Sequence, residues 1–354
     1  MKVVVAMSGG VDSSVAALQL VEAGHEVIGL SMQLYDQQQG TTQFGGCCSL
    51  DDLHDARRTA GVLGIPHYIM NFERQFDATV VSRFVREYAD GRTPIPCVQC
   101  NADLKFAHLL DRAIALGADY VATGHYVRSS PADGIHAARL QRGVDAKKDQ
   151  SYFLFSLTQN QLSRALFPIG HLNKREVRAL AKSASLPVAD KPDSQELCFV
   201  PNGNTAAFIE TRDNSVARSG PIQNRDGQQV GQHAGVHRYT VGQRKGLGLS
   251  THEPLYVVNI DAPTNTLTVG PQSALQQTEL TASSVNWIAG HPPGPSCQTT
   301  ARIRHRHPDA TAQVELLPKH RVSVVFDRPQ RAIAPGQAVV FYDGDTVLGG
   351  GWID

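Results

Sequence analysis

The sequence predicts an α/β protein: a doubly wound domain with a parallel sheet, then a small β-rich middle domain and a C-terminal β-barrel-like domain. Strand-like and helix-like patterns alternate over roughly the first 200 residues, which is typical of a parallel sheet covered by helices. Beyond about residue 205, short β-branched runs such as PLYVVNI, TLTVG, RVSVVF and QAVVFY recur between turn signals. Because 354 residues exceed one ordinary core, we expect domains at 1–204, 205–276 and 277–354.

The elements of the first domain follow from hydrophobic periodicity and turn residues. KVVVAM predicts the first strand, and residues 13–23 predict a helix that stops at Gly24. Further strands are expected in EVIGLSMQL, PHYIMNF and YVATGHYV, and further helices over 51–63, 77–88 and 102–116. In the β-rich half, IAGHPPGPS (288–296) is typical of a segment near a domain boundary.

Composition restricts the classes of protein to consider. No stretch approaches the roughly 20 apolar residues of a membrane span, and no signal peptide is recognisable, so we expect a cytoplasmic protein without a membrane partner. Lys+Arg and Asp+Glu balance at 33 each, so a polyanionic partner would have to meet local basic patches. The cysteines are few and bunched, which favours metal or redox chemistry over a secreted disulfide framework: Cys47, Cys48, Cys97, Cys100, Cys198 and Cys297.

The motif SGGVDSS (8–14) lies between the first strand and the first helix. Unpaired backbone N–H groups and the helix dipole favour an anion there, and two glycines allow a phosphate to come close. The motif matches neither the Walker nor the Rossmann pattern. Asp12 would repel a phosphate unless a cation such as Mg²⁺ bridged them, so a metal-bridged pyrophosphate fits the motif. A capped Gly-Gly turn without a ligand is the alternative.

SGGVDSS after a first strand resembles the pyrophosphate loop (PP-loop) of the N-type ATP pyrophosphatases, some of which transfer ammonia and others sulfur. Cys97 and Cys100, in a Pro-rich loop before a helix that Asn101 could cap, and Cys198, in ADKPDSQELCFV, favour sulfur. Together with these loops, GRTP, ATGHY, KKDQSYFL, GQRKGLG, PGQAVVFYDGD and LGGGWI resemble the tRNA-specific 2-thiouridylase family over almost the full length.

The resemblance implies a sulfurtransferase in which ATP adenylates the C2 oxygen of the tRNA wobble uridine (position 34) and a cysteine-borne sulfur replaces it. By motif position, Cys198 resembles the residue that carries the persulfide, and Cys100 the nucleophile that attacks it or closes a disulfide. An upstream protein would supply the persulfide sulfur. We expect a monomer, with a dimer on tRNA as the alternative.

One position departs from the family. Many members carry Asp where this chain has Cys97, which puts the assignment of an acid or base in doubt. Cys97, Cys100 and Cys198 together resemble relatives thought to hold a [4Fe-4S] cluster. Persulfide or disulfide chemistry, such a cluster and a structural zinc remain open here.

The resemblance also implies binding residues. For ATP they are Ala6, Met7, Ser8, Gly9, Gly10, Val11, Asp12, Ser13, Met32 and Gly124, with Asp12 reaching Mg²⁺ through pyrophosphate. For tRNA they are Ile95, Pro96, Cys97, His125, Lys148, Asp149, Gln150, Arg244, Lys245, Arg304, His305 and Gln337. The plainer alternatives are a core role for Met32, a buried and satisfied His125, a solvated turn at 147–150, and a solvated strand face at RIRHRH (302–307), whose arginines would alternate with His305.

Three rival functions stay open. An amide-forming ligase with the same loop would not need Cys100 or Cys198, so Cys198→Ser would leave its turnover intact. A noncatalytic RNA-binding protein with a structural metal would release no pyrophosphate. A thiolase of the 4-thiouridine type would modify another nucleoside, which mass spectrometry of anticodon fragments would reveal.

Overall fold

The computed structural model describes residues 1–35, 50–134, 136–193 and 197–354. Cys47 and Cys48, which the sequence suggests are spare thiols, lie outside the described residues. The strands are β1 Lys2–Ala6, β2 Glu26–Gln33, β3 His67–Asn71, β4 Tyr120–Ala122, β5 Val127–Ser130, β6 Arg139–Arg142, β7 Ala165–Leu166, β8 Gly220–Gln223, β9 Gln229–His233, β10 Tyr256–Asp261, β11 Thr266–Gly270, β12 Gln276–Trp287, β13 Ser296–Arg302, β14 Ala310–Leu317, β15 Arg321–Arg331, β16 Ala338–Asp343 and β17 Thr346–Ile353.

The helices lie mainly in the first domain. They are α1 Val11–Glu22, α2 Leu50–Leu63, α3 Glu73–Phe76, α4 Ser82–Ala89, α5 Pro96–Gln99, α6 Leu109–Ala115, α7 Gln159–Leu162, α8 Lys174–Ser183 and α9 Thr205–Arg212. Wider π-helical turns over Asp77–Val81 and Cys100–His108 join α3 to α4 and α5 to α6. Short 3₁₀ turns occupy Ser151–Phe153, Pro201–Gly203, Asn214–Val216, Val236–Arg238 and Gln272–Leu275. No helix in the described part of the chain is long and apolar enough to cross a membrane.

A parallel five-stranded sheet with the order β3-β2-β1-β4-β7 forms the first domain. Its central strand β1 is fully buried at Val3, Val4 and Val5, as expected for a sheet covered on both faces. Strand order reverses beside β1, because β2 pairs on one side and β4 on the other. In doubly wound folds this switch point is where ligands bind, at the carboxyl ends of the strands. The predicted fold class is confirmed.

The middle domain is a four-stranded sheet with the order β10-β11-β8-β9. Its core packs residues from the strands and from the loop between β9 and β10, among them Ile222, Val236, Leu247, Val257 and Val269. The core is small, as expected for so short a unit.

The C-terminal domain is a closed barrel in which β12 pairs with both β15 and β17, completing the ring β12-β15-β14-β13-β16-β17. Closure removes sheet edges. The β5–β6 hairpin of the first domain adds to this sheet through the pair Thr346↔Gln141. The first domain and the barrel are therefore joined by backbone pairing as well as by side-chain packing.

Four local predictions are wrong. YVATGHYV is not one strand, because β4 ends at Ala122 and β5 begins at Val127 in a different sheet. IAGHPPGPS does not mark a domain boundary, since it connects β12 to β13 within the barrel. RIRHRH leaves the strand after Arg302, so its arginines do not share a strand face. The Pro-rich loop before a helix is itself helical from Pro96, so Asn101 lies inside the helix and does not cap it.

Candidate active site

A cavity of about 830 Å³ opens at the carboxyl ends of β1 and β4 and at the start of α1. Many predicted ATP residues line it: Ala6, Met7, Ser8, Gly10, Val11, Asp12, Ser13, Met32 and Gly124. Among the predicted tRNA residues His125, Lys148, Asp149, Gln150 and His305 also line it. The volume is that of a typical small-molecule site.

Close backbone packing shapes the anion-binding end of the cavity. Gly9 has φ +71°, and a Cβ there would lie 2.1 Å from the Asp52 carbonyl oxygen. A Cβ on Gly124 would lie 2.5 Å from the Ser13 nitrogen. The Ser13 hydroxyl accepts a hydrogen bond from the Ser8 amide (3.1 Å) and donates to the Gly10 carbonyl (3.1 Å). Only glycine fits at both positions. Gly9 and Gly124 therefore allow their backbone segments to pack closely around the N-terminus of α1.

Lys191 is hydrogen-bonded to this loop and also lines the cavity. Its Nζ donates to the Gly9 carbonyl (3.0 Å), to Asp52 Oδ1 (2.6 Å) and to Asp55 Oδ2 (2.6 Å). Burial would raise the pKa of Asp55, but its hydrogen bonds from Lys191 and Arg58 outweigh burial and lower that pKa. Burial would likewise lower the pKa of Lys191, yet its two carboxylate partners raise it. Lys191 is therefore a fixed cation beneath Gly9.

Asp12 also has a cationic partner. Lys174 Nζ lies 2.8 Å from both of its carboxylate oxygens, and the Tyr126 hydroxyl donates to Oδ1 at 2.6 Å. Burial and Asp12 raise the pKa of Tyr126, which keeps the phenol protonated as a donor. Since a carboxylate has about four lone-pair sites, Asp12 keeps capacity for one further ligand, so a Mg²⁺ ion carried by pyrophosphate fits beside it.

Asp193 links Lys174 to the cavity wall. Its carboxylate lies 2.7 Å from Lys148 Nζ and 2.7 Å from Lys174 Nζ, and 3.3 Å from Arg178. Burial would raise the pKa of Asp193, but the hydrogen bonds from the two lysines lower it to about 2. The negative charge therefore persists at any physiological pH and holds three cations beside the loop.

Part of the cavity lining is apolar. Ala6, Leu30, Met32, Leu34 and Leu53 line it, and Met32 is 8 % exposed. A flat heteroaromatic base suits such a surface, whereas a triphosphate suits the loop. Met32 belongs both to the hydrophobic core and to the cavity lining, so a core role and a contact with ATP are compatible.

Cys100 and Cys198 both line the cavity. Each packs against the same hydrophobic core, in which Phe199 makes edge contacts with Phe76 (5.4 Å) and Phe84 (5.0 Å). The structure thus brings together two cysteines from separate parts of the chain on the wall that also holds the anion loop.

Cys97 differs from the other two cysteines. It is exposed and is not among the residues that line the cavity. Within the described ranges, no three side chains of His, Cys, Asp or Glu are placed so that they could hold a metal ion. The arrangement of Cys97, Cys100 and Cys198 therefore does not fit the [4Fe-4S] cluster, nor does it fit a structural zinc.

His125 lies in the cavity wall and is 8 % exposed. Its Nδ1 is 2.8 Å from the Thr123 hydroxyl. Burial, with the Lys105 charge nearby, lowers the pKa of His125 well below its usual range. The imidazole is therefore neutral at physiological pH. His125 is both a buried, hydrogen-bonded histidine and a residue of the cavity wall.

The run 147–150 is not simply a solvated turn, since Asp149 is 4 % exposed. Asp149 accepts hydrogen bonds from the Gly143 amide (3.1 Å) and from the Ser151 amide and hydroxyl (3.2 and 2.9 Å). Gln150 Oε1 accepts from the Tyr126 amide at 2.9 Å. These side chains fix the backbone of the cavity wall.

His305 covers this wall from the barrel side. Its ring centroid lies 4.5 Å from that of Phe153, and its Nε2 is 3.1 Å from the Asp149 carbonyl oxygen. Arg302 ion-pairs with Asp309 Oδ1 at 2.5 Å and lies 3.4 Å from Asp149. The turn after β13 thus places aromatic and cationic side chains over the cavity mouth.

Other predicted tRNA residues lie away from the cavity lining: Ile95, Pro96, Cys97, Arg244, Lys245, Arg304 and Gln337. Ile95 and Pro96 are buried, whereas Arg244 and Lys245 are exposed on the middle domain. Gln337 is half-buried and donates to the Thr93 carbonyl at 2.9 Å, and Arg304 donates to the Arg331 carbonyl at 3.1 Å.

Sequence reasoning missed the lysines that organise the loop. Lys191 and Asp193 lie in ADKPDSQELCFV, a stretch whose cysteine indicates sulfur chemistry but which does not predict an ion pair at the loop. A Lys and an Asp two residues apart beside a Pro were an available signal for a polar loop near a ligand. Nothing in the sequence around Lys174 distinguishes it from the other lysines of α8, which is a capped surface helix.

Three family models match this chain: tRNA methyl transferase HUP domain (residues 1–202), tRNA methyl transferase PRC-barrel domain (207–271) and Aminomethyltransferase beta-barrel domain (277–353). The tRNA-specific 2-thiouridylase MnmA of Geotalea uraniireducens (strain Rf4) is 53% identical over 358 residues, covering 100% of this chain and 95% of the relative. That of Solibacter usitatus (strain Ellin6076) is 52% identical over 367 residues, covering 99% of each.

Among solved structures, a 4-thiouridine synthetase–RNA complex with bound ATP has a TM-score of 0.36 and 16% identity, covering 60% of this chain and 50% of that one. So slight a likeness carries no argument about function.

Proposed function

The chain belongs to the tRNA-specific 2-thiouridylase family, and from that premise we propose that it is an ATP-dependent tRNA-uridine 2-sulfurtransferase that thiolates the wobble uridine at position 34. The observation that carries the proposal is the shared cavity: Cys100 and Cys198 line it together with the strand–turn–helix loop. Sulfur transfer onto an adenylated base requires thiols close to an ATP-binding loop, and the cavity contains both. The methyl transfer named in two family models requires neither the thiols nor the ATP-binding loop.

The loop binds and orients the triphosphate of ATP. Backbone N–H groups at the start of α1 donate hydrogen bonds to the phosphate oxygens, and Lys191 Nζ binds the Gly9 carbonyl of the same loop. Asp12 would hold a Mg²⁺ ion here, and the ion would supply further charge neutralisation. The apolar wall at Met32 takes the adenine.

Adenylation solves a leaving-group problem. The C2 oxygen of uridine attacks the α-phosphorus, pyrophosphate leaves, and the oxygen becomes part of an AMP ester. A urea-like oxygen leaves poorly, whereas AMP leaves readily. The base must be turned out of the anticodon stack to reach the cavity, and the His305–Phe153 pair at its mouth offers rings for stacking.

Sulfur then enters from a persulfide on Cys198. The Cys100 thiolate attacks the Cys198 Sγ, a Cys100–Cys198 disulfide forms, and hydrosulfide leaves with the electron pair of the broken S–S bond. Hydrosulfide adds to C2 and AMP leaves with the former C2 oxygen. Two cysteine thiols are oxidised and one sulfane sulfur is reduced, so an external thiol must reduce the disulfide between turnovers.

Several further features belong to the proposal. An upstream protein delivers the persulfide, the enzyme works in the cytoplasm, and it acts as a monomer, with a dimer on tRNA as the alternative. The exposed Arg244 and Lys245 of the middle domain, with Arg304 of the barrel, contact tRNA phosphates. Ile95, Pro96 and Cys97, around the start of α5 and outside the cavity lining, are included in the proposal as tRNA contacts.

The test is a thiolation assay with ATP, a tRNA transcript and a small-molecule persulfide donor, read by mass spectrometry of anticodon fragments. We expect sulfur at position 34, loss of product in Cys100→Ser and Cys198→Ser, and continued single-turnover pyrophosphate release in both. Cys297→Ser is the matched control, since Cys297 packs against the barrel core away from the cavity.

Each rival function has its own outcome in this assay. Full turnover by Cys198→Ser with an amine acceptor would point to an amide-forming ligase, absence of pyrophosphate to a binding protein, and sulfur on another nucleoside to a different thiolase. Thiolated tRNA that forms only when iron is bound, and not with a persulfide donor alone, would favour the cluster mechanism over the persulfide mechanism.

A further inference from the structure

The motif GRTP lies where the three domains meet. Thr93 donates its amide to the Pro335 carbonyl of the barrel at 2.8 Å and accepts at its own carbonyl from Gln337 Nε2 at 2.9 Å. Its hydroxyl lies 3.2 Å from that of Thr240 in the middle domain. One residue of the first domain is thus hydrogen-bonded to both others.

Neighbouring residues strengthen the same junction. Arg92 donates to the Ile353 carbonyl at the end of β17 at 2.7 Å. A Cβ on Gly91 would lie 2.7 Å from Ile260 Cγ2 of the middle domain. Three consecutive residues, Gly91 to Thr93, therefore contact both β-rich domains.

Three glycines permit this close approach. Gly91, Gly242 and Gly336 have φ of +71°, +90° and +86°, and each comes from a different domain. A Cβ on Gly336 would lie 2.8 Å from the Thr93 nitrogen, and one on Gly242 would lie 2.7 Å from Ala332 of the barrel. A side chain at any of the three would push two domains apart.

The junction is linked stiffly to the reacting thiol. Only Pro94 and Ile95 separate Thr93 from α5, which begins at Pro96 and continues without a break into the turn that holds Cys100. Two prolines fix φ at their positions, and Ile95 is buried at 8 % exposure. A displacement of Thr93 should therefore displace the start of α5 by a similar amount.

We propose that Thr93, held by Pro335 and Gln337 and closely packed against Gly336, is a positioning residue that sets the place of Cys100 relative to RNA docked on the two β-rich domains. The proposal rests on the proposed function. In this proposal Gln337 holds the domain junction together in the free protein. Its predicted contact with tRNA would not require the hydrogen bond to Thr93. ATP binding lies outside the junction and should be independent of it.

The test compares Gly336→Ala with Gly290→Ala. Both glycines belong to the barrel and have nearly equal φ, +86° and +84°, but nothing lies within 4 Å of a Cβ on Gly290. Since a displacement of about 1 Å costs roughly a hundredfold in rate, we expect kcat for thiolation to fall at least about tenfold in Gly336→Ala. The Kd for ATP and the Kd for tRNA should change by less than about twofold, and Gly290→Ala should keep its kcat.

A second variant tests the same contact in case Gly336→Ala does not fold. Gln337→Met keeps the side-chain length but removes the donor to Thr93, and it should lower kcat with both dissociation constants unchanged. Gln337 also carries a predicted tRNA contact, so a rise in KM for tRNA at constant kcat would overturn the proposal in favour of that contact. Equal kcat in Gly336→Ala and Gly290→Ala would also overturn it, whereas a wild-type protein that makes no thiolated tRNA would refute the proposed function instead.

Discussion

Lys191→Met removes the cation that holds Gly9 to α2. Three acceptors lose their donor: the Gly9 carbonyl, Asp52 and Asp55. The two carboxylate side chains are only 12% and 14% exposed, so water cannot fully replace the ammonium. Charged hydrogen bonds contribute about 1.5–3 kcal/mol each, and the change leaves two like charges together, so the free energy of unfolding should fall by roughly 3 kcal/mol.

Hydrogen exchange of the buried β1 amides measures this loss within the first domain. A change of roughly 3 kcal/mol corresponds to an acceleration of about a hundredfold. Lys182→Met is the control, because Lys182 is 58% exposed and pairs with a surface carboxylate on Asp190, so exchange should barely change. Equal exchange rates in Lys191→Met and the wild type would refute the reasoning.

The pH dependence of the same variant tests its cause. In the wild type the lowered pKa of Asp55 gives stability that is present above pH about 4 and lost as pH falls. In Lys191→Met, Asp55 keeps Arg58 but loses the other cation that lowers its pKa, so the variant holds less of this pH-dependent stability. The difference between variant and wild type should therefore stay nearly constant from pH 7 to about pH 4 and shrink below that pH. Asp52→Asn in the same chain should recover about 1 kcal/mol or more by removing one of the two neighbouring carboxylates.

Three further predictions concern the cavity wall. Gly124→Ala should weaken ATP binding by about tenfold or more in calorimetry, because its Cβ would lie 2.5 Å from the Ser13 nitrogen and overpacking costs about 1–3 kcal/mol; unchanged affinity would contradict the close packing. His125 has a lowered pKa, so the unfolded state binds the extra proton and stability falls as pH drops below about 6.5. His125→Gln should remove up to about 1.4 kcal/mol per pH unit of that slope in urea unfolding, and an identical slope would contradict it. Asp149→Ala leaves the Ser151 amide and hydroxyl without their acceptor and should cost roughly 2–3 kcal/mol by urea unfolding; a cost near zero would show that water replaces the carboxylate.

Local signals made the first domain predictable. An apolar β-branched run followed by two glycines can form a strand, a tight turn and a helix with little help from the rest of the chain, and β1 and α1 lie where the sequence places them. Gly24, predicted as the helix stop, has φ +77° and donates to the Val21 carbonyl at 2.9 Å.

Predictions that depended on distant partners were less successful. RIRHRH alternates like a strand, yet the chain turns after Arg302, whose guanidinium pairs with Asp309 and lies near Asp149 of another domain. The sequence predicts a loop at Pro96, but the structure has a helix beginning there, and proline is favourable at the first position of a helix. The lysines at the loop were missed because a charge pattern does not reveal which carboxylate a lysine will meet.

The position of Cys198 follows from what holds the chain on both sides of it. Before it, Lys191 is fixed to Gly9 and to α2, and Asp193 is fixed by three cations. Directly after it, Phe199 is 4 % exposed among aromatic rings of the first domain. With one anchor five residues before Cys198 and another on the next residue, and at most about 3.6 Å of chain per residue, the thiol cannot move far from the loop. Under the proposed function these anchors keep the Cys198 thiol near the ATP-binding loop, so Phe199→Ala should lower thiolation while pyrophosphate release persists.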